Sequence, residues 1–395
     1  MGRREFVRLA VGGAVAVPLL GACGSGASDA AGQDAEAPGD DVASEDLAPI
    51  DDTGAEPDLV GEPDVTAEPD VPAEPAFSLE AVPADKTAFP TVTQAGSPRV
   101  TEAVLWCFTA APSVTALVWA EGAGASTVLT FDGAPKEGYV HVRADGLAAG
   151  TRYQYAFVTG TRESPVGRSV IGRFATAPSA DASPVVVTAA TSCTKRIYKP
   201  YKSLSLMAKE GFDVFCHLGD MSYNDDAKTV AEFREFWRET LDVPGYVDIL
   251  PAGASIQTWD DHEIANGEWS ELPPAVVEAG KAAFWETLPL LPEPPGRLWT
   301  SYPYGKTVEF FVLDCRGERK PETQGQPDAV FISPEQLSWL KQALTDSQAT
   351  FKVILNSVPM AQFPLGWPKK DIWAGYPEQR DELLDHVTSG ISGVL

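Results

Sequence analysis

Between residues 184 and 355, short apolar runs alternate with stretches of helical periodicity, and four of those runs each stop at a cluster of polar side chains. The run at 185–190 leads into Thr191-Ser192-Cys193, and the run at 213–217 into Asp220 and Tyr223. The run at 254–258 ends at Trp259-Asp260-Asp261-His262-Glu263, and the run at 308–313 at Asp314 and Arg316. Helical patterns lie near 201–210, 228–240, 274–288 and 334–344, and a further strand is expected at 351–355. Strands joined by helices imply α/β organisation, in which ligands bind beyond the strand ends.

The residue types at those ends define a chemistry. Two adjacent carboxylates, Asp260 and Asp261, repel each other unless a cation or a proton lies between them. A carboxylate beside an imidazole, as in Asp261-His262, suits oxygen-and-nitrogen ligation of a metal or general acid–base work. Seen alone, such a string would serve equally well as a polar strand-to-loop turn. The second cluster, His217-Leu218-Gly219-Asp220-Met221-Ser222-Tyr223, turns the reading toward a shared site. Cys193, Asp220, Tyr223, Asp261 and His262 together could build a centre of two metals about 3.5–4 Å apart that clamps a phosphoryl group. Arg316 would then hold a phosphate oxygen through its guanidinium fork. Cys107, His141, His217, Cys216 and Cys315 lie within or beside strands and are read as packing or surface positions.

The chain has 395 residues and a net charge of −26, which argues against nucleic acid as its main partner, since phosphate backbones require a basic footprint. Its five cysteines lack the paired spacing of a disulfide framework or a zinc finger. At the N-terminus, Arg3-Arg4 precedes a short apolar run to Leu20, which resembles a twin-arginine export address. Leu20-Gly21-Ala22-Cys23 resembles a bacterial lipobox, so Cys23 is expected to be lipidated and residues 1–23 to act as a signal. Residues 24–78 carry 16 acidic residues and no Lys or Arg, with Glu-Pro-Asp recurring at Glu56, Glu62 and Glu68. Such a segment cannot bury enough apolar surface to fold, so it is expected to be an extended, disordered tether.

Residues 79–180 change to short strands at regular spacing, near 104–108, 115–119, 139–143, 153–157 and 172–176, the pattern of a β-sandwich. Gly146-Leu147-Ala148-Ala149-Gly150-Thr151-x-Tyr153-x-Tyr155 is similar to the strand-turn-strand signature of fibronectin type III/immunoglobulin-like domains.

Five motifs, taken in order, carry a wider resemblance. Thr191-Ser192-Cys193, His217-Leu218-Gly219-Asp220-x-x-Tyr223, Trp259-Asp260-Asp261-His262-Glu263, Leu313-Asp314-x-Arg316 and Trp373-x-Gly375-Tyr376-Pro377-x-x-Arg380 resemble PhoD-like alkaline phosphatases and phosphodiesterases, of the metallophosphoesterase superfamily. The resemblance spans residues 89–395 and implies an α/β metallophosphoesterase-like sandwich over 181–395, preceded by the all-β domain. It also implies an iron(III)–calcium site, other divalent metals being possible. Cys193 and Tyr223 correspond to iron ligands, Asp220 to the carboxylate shared between metals, and Asp261 to a ligand of the second metal. His262 corresponds to the histidine that assists the leaving group, and Arg316 to a phosphate-contacting arginine. The family pattern continues to a Gly-Asp-x-His motif that does not occur before Leu395, so the sequence is expected to be a fragment. The expected function is an exported, membrane-anchored, monomeric phosphatase or phosphodiesterase that hydrolyses phosphate esters. A surface lipoprotein that binds without turnover on the same scaffold is the alternative.

Overall fold

The structure is a computed structural model that describes residues 9–11, 74–361 and 371–395. The expected lipidation site at Cys23 and the stretch 24–73 lie outside the described residues. Within the expected signal, the backbone of Leu9–Val11 (β1) pairs in parallel with Thr188–Thr191 (β10).

The all-β part runs through Gln94–Gly96 (β2), Ala103–Phe108 (β3), Val114–Ala120 (β4), Leu129–Gly133 (β5) and Tyr139–Ala144 (β6). It continues with Arg152–Gly160 (β7), Pro165–Arg168 (β8) and Gly172–Ala175 (β9). Strands β2, β3 and β6 are neighbours in one sheet, and β5, β4, β7 and β8 in another, with β9 also on β7. The two layers pack through alternating side chains, because successive strand residues face opposite sides. Leu105 and Val142 from one layer share a buried core with Val118, Tyr155 and Phe157 from the other. Glu74–Ser78, placed at the end of the expected tether, are described and make contacts with the all-β part. Glu74 accepts a hydrogen bond from Ser126 Oγ at 2.5 Å, and the Phe77 ring meets Trp119 edge-on at 5.2 Å.

The α/β part alternates β10, Lys202–Glu210 (α1), Val214–Leu218 (β11), Val230–Leu241 (α2), Pro244–Ile249 (α3), Ala254–Thr258 (β12) and Pro274–Thr287 (α4). Strands β10, β11 and β12 lie side by side in parallel. Helix α2 shows why these segments become helices: Thr229 and Glu232 form a capping box at its start, and Phe233, Trp237 and Leu241, four apart, form its buried stripe. Thr300–Tyr304 (β13), Val308–Val312 (β14) and Phe351–Leu355 (β15) form a further sheet, with Pro334–Asp346 (α5) between β14 and β15 in sequence and Pro377–Thr388 (α6) after them. Phe215 and Ile256 of the first sheet share one core with Phe310 and Val312 of the further one. Leu395 donates its N–H to Lys352 O at 2.8 Å, and its carbonyl accepts from Ile354 N at 2.9 Å, so the final residues pair with β15.

The expected division at residue 180 does not separate two independent sheets. Strand β2 pairs in parallel with β12, which makes a seven-stranded sheet in the order β1-β10-β11-β12-β2-β3-β6. Residues 74–395 accordingly form one compact unit. The sequence did not mark this junction, because Gln94-Ala95-Gly96 is short and lacks β-branched residues.

Candidate metal centre

The loops beyond β10, β11 and β12 are tied to one another before any ligand enters. Cys193 N–H donates to Gly219 O at 3.1 Å, and Thr194 N–H to Asp220 O at 3.0 Å. Cys193 and Asp220 both have left-handed backbone, with φ of 56° and 57°. Such conformations are uncommon outside glycine and persist where surrounding contacts impose them, often at functional sites. Gly219, at φ 92°, admits the β12 loop, since a Cβ there would stand 2.7 Å from Asp260 Cβ. The fully buried Glu263 carboxylate pins both loops: Oε2 accepts from Asp220 N at 3.0 Å and Asp260 N at 2.8 Å, and Oε1 from Met221 N at 2.6 Å. Asn224 adds a clamp, its Nδ2 donating to Glu263 O and its N–H to His262 O, both at 2.9 Å.

Held this way, Asp220, Asp261 and His262 place ligand atoms within 4.8 Å of one another. The Tyr223 hydroxyl donates to Asp220 Oδ2 at 3.2 Å, and the Cys193 sulfur lies 3.5 Å from the same oxygen. Four sequence-expected ligands and the expected catalytic histidine are therefore brought together. The Tyr223 ring also stacks on the His262 ring at 4.0 Å. His262 Nδ1 hydrogen-bonds Asp225 Oδ1 at 2.6 Å, and Asp225 further accepts from Asn266 N at 2.7 Å. Asp261 Oδ2 accepts from Gly267 N at 2.5 Å.

Electrostatics show what this donor set lacks. Burial and the facing Asp261 raise the Asp220 carboxyl above its ordinary range. Burial and the Asp220 carboxylate likewise raise the Tyr223 phenol; Cys193 is exposed as a residue, but desolvation of its sulfur against the cluster and the Asp220 carboxylate push its thiol to about 12. Burial opposes charge on His262, but the Asp225 hydrogen bond and the carboxylates of Asp220 and Asp261 outweigh it and raise the imidazole. A bound cation reverses the first three effects by favouring the deprotonated forms. Carboxylates, imidazole, phenol and thiol converging in this way are a donor set that fits a metal ion.

Arg316 borders the cluster and is almost wholly buried. Its Nε donates to Asp260 Oδ1 at 2.5 Å and its Nη1 to Asp371 Oδ1 at 2.6 Å, while Nη2 stands 3.7 Å from Asp261. The fork expected to hold a phosphate oxygen is thus engaged by carboxylates on two sides and reaches the centre through Nη2. Asp314 belongs to the turn, accepting from Trp259 Nε1 at 2.6 Å and Gly317 N at 2.6 Å. His217 is structural as expected. Its Nε2 hydrogen-bonds the Tyr246 hydroxyl at 2.9 Å, and burial lowers the ring's pKa to about 3.

Sequence reasoning quoted Glu263 within its motif without giving it a role, and overlooked Asp225 and Asp371. Asp225 stands two residues after Tyr223 and Glu263 directly follows His262, so proximity in the motif was the available signal. Asp371 comes from a segment over fifty residues from Arg316, and no local pattern links them.

Comparison with known proteins places this geometry. The PhoD-like phosphatase family model matches residues 187–394. Alkaline phosphatase D of Bacillus subtilis (strain 168) is 28% identical over 298 residues, covering 63% of this chain and 50% of that protein. The chain thus spans half the length of this curated relative. A solved structure of PhoD superposes with a TM-score of 0.69 at 24% identity, over 83% of this chain and 72% of that one. A purple acid phosphatase from yellow lupin (Lupinus luteus) seeds gives 0.53 at 12% identity, over 76% and 57%. These neighbours share a metallophosphoesterase-like α/β fold with the present structure. A family model matched over more than half of the chain, on the strands whose ends build the centre, shows that this protein belongs to the PhoD-like phosphatase family.

Proposed function

We propose that the protein is an exported, metal-dependent phosphoesterase acting on phosphate monoesters or diesters. The observation that carries this reading is the convergence of Asp220, Asp261 and His262 from two separate strand ends. Cys193, Asp220 and Tyr223 would hold a ferric ion, which phenolate and thiolate suit, and Asp220 with Asp261 would hold calcium. When bound, such ions polarise a phosphoryl oxygen and generate a nucleophile from water at neutral pH. His262 hands a proton to the departing alcohol oxygen, and Asp225 fixes its ring through Nδ1, leaving Nε2 to face the reaction. Arg316 Nη2, beside Asp261, offers a donor to a phosphoryl oxygen. The lip after Cys193 favours an anionic substrate. Lys195, Arg196, Lys199 and Lys202 follow it, with no acidic residue between Asp181 and Glu210.

The test is hydrolysis of p-nitrophenyl phosphate and bis(p-nitrophenyl) phosphate by the purified protein, with and without chelator. Turnover that a chelator abolishes and added metal restores is the expected result, and chelator-insensitive turnover would refute metal dependence.

The surroundings complete the proposal. The Tyr153 hydroxyl accepts from Ala148 N–H at 2.8 Å, the contact of a tyrosine corner, which supports a fibronectin type III-like reading of the sandwich. Arg3-Arg4 and Leu20-Gly21-Ala22-Cys23 support export and lipid anchoring outside the cytoplasm. Cys23→Ser is expected to abolish labelling by a radioactive fatty acid and to release the protein from membranes. Equal labelling of both forms would remove the anchor from the proposal.

A further inference from the structure

Arg316 meets more carboxylates than its charge can match. Asp260, Asp261, Glu268 and Asp371 stand between 2.5 and 3.9 Å from its guanidinium. Arg319 shares two of them, reaching Glu268 at 3.0 Å and Asp371 at 3.7 Å. Four carboxylates therefore face two guanidiniums. Asp371 is the member of this set nearest to water. Its side chain is 23% exposed, against 12% for Asp260, 10% for Asp261 and 3% for Glu268.

A guanidinium grips a phosphate best with two N–H groups on one edge of its fork. In Arg316 each edge that includes Nη2 has its other nitrogen engaged, Nε by Asp260 at 2.5 Å and Nη1 by Asp371 at 2.6 Å. Asp260 is tied down elsewhere. Its Oδ1 also accepts from Ser357 Oγ at 3.4 Å, and its N–H is bound by Glu263 at 2.8 Å. Asp371 is built differently, because its backbone is held independently of its carboxylate. Its carbonyl accepts from Arg319 Nη1 at 3.4 Å, and Ile372 and Trp373 after it are buried. The side chain can therefore rotate toward water while the chain stays in place, and the two arginines keep three carboxylates.

We propose that Asp371 is an internal stand-in for the substrate's phosphoryl group, occupying Arg316 Nη1 until a phosphoryl oxygen displaces it. Arg316 then holds that group through Nη1 and Nη2 together. The inference rests on the reading of Arg316 as a phosphate-contacting residue. Because Asp371 must leave first, every anion binds more weakly in proportion to the fraction of molecules in which Nη1 is released. That penalty is the same for a dianion and a monoanion. Simple repulsion by the Asp371 charge would differ, since Coulomb energy scales with the charge of the ligand.

The experiment titrates inorganic phosphate, a dianion at about pH 9, and dimethyl phosphate, a monoanion, into the metal-loaded full chain by calorimetry. Asp371→Ala is expected to tighten both at least about fivefold, by factors that agree within about twofold. Asp371→Asn keeps the shape should the alanine variant misfold, and is expected to tighten both by a smaller common factor. A phosphate-soaked crystal of the parent is expected to show phosphate on Arg316 Nη1 and Asp371 turned away. Arg316→Lys, which keeps the charge and loses the fork, is expected to weaken phosphate at least about tenfold. Unchanged affinity in Arg316→Lys would remove the phosphate role of Arg316, and the role of Asp371 with it. Weaker binding in Arg316→Lys without tighter binding in the Asp371 variants would leave Arg316 its role and overturn the proposal alone. A factor for phosphate equal to the square of that for dimethyl phosphate would reduce Asp371 to simple repulsion and overturn the proposal. Density with phosphate bound and Asp371 still on Nη1 would do the same.

Discussion

Asp225 holds the His262 ring through Nδ1, and the roles proposed for the two can be separated by measurement. Asp225 is held below the ordinary carboxylate range: burial works against its charge, but the His262 hydrogen bond, the imidazole's charge and the Asn266 N–H more than compensate. Asp225→Asn keeps the shape, but removes the charge that orients and protonates the ring. We expect kcat to fall about ten- to a hundredfold with metal content unchanged, while His262→Ala falls by the roughly 10²–10⁴ of lost acid–base help. Loss of metal in Asp225→Asn would make Asp225 part of the metal site instead. Tyr223 allows a sharper test of metal identity. A phenolate on ferric iron absorbs visible light, so Tyr223→Phe, which removes one oxygen and keeps the ring stacked on His262, should bleach a coloured protein. A colourless, active parent would reject the iron–tyrosine assignment. At this scale the sequence was legible for the ligand-type residues set close together, Asp261 beside His262 and Asp220 three before Tyr223, but not for Asp225 and Glu263, which hold those residues in place. It was not legible for Asp371, whose tie to Arg316 exists only after folding.

At the scale of elements, the centre depends on loops that have no regular structure of their own. Glu263 replaces that structure, accepting N–H groups from the β11 and β12 loops at once. Burial raises its carboxyl well above the ordinary value, as does Asp220, and the backbone donors work against both. Glu263→Gln would turn one acceptor oxygen into an NH₂ aimed at an N–H. We expect a loss of about 1–3 kcal/mol in urea unfolding, the cost of an unmet buried donor, together with weaker metal retention, although Glu263 is no ligand. Normal stability and metal content in that variant would show that the loops hold themselves. Strands β12 and β15 and helices α2, α4 and α5 stand within two residues of where periodicity placed them. Those segments are long or β-branched enough for pattern to decide. Strand β13 escaped notice because Thr300-Ser301-Tyr302-Pro303-Tyr304 contains a proline, tolerated here in a strand that pairs only with β14.

For the whole molecule, one sheet runs from the all-β part into the strands that carry the ligands, so the centre's charge is a load on the entire fold. In chelated protein that load depends on pH. Burial drives the Asp260 carboxyl to about 7, with Arg316 offsetting part of the effect and Asp261 adding to it. A group that holds its proton more tightly folded than unfolded contributes stability below its unfolded pKa, about 3.9 for Asp. That contribution is lost as pH rises through the folded value. Asp220 and His262, both raised, have the same sign. Asp225 is lowered, so its contribution is lost only as pH falls through the acid range. Between about pH 4 and 8 the metal-free protein should therefore lose melting temperature as pH rises. Iron and calcium together should restore most of the loss at pH 8 and little of it at pH 5, because cations bind the carboxylates only once the protons have left. Calorimetric melts at four pH values, with and without metal, measure this directly. A melting temperature flat across that range in chelator would mean that Asp220, Asp260 and Asp261 do not share one buried field, and the two-metal reading would lose its electrostatic basis.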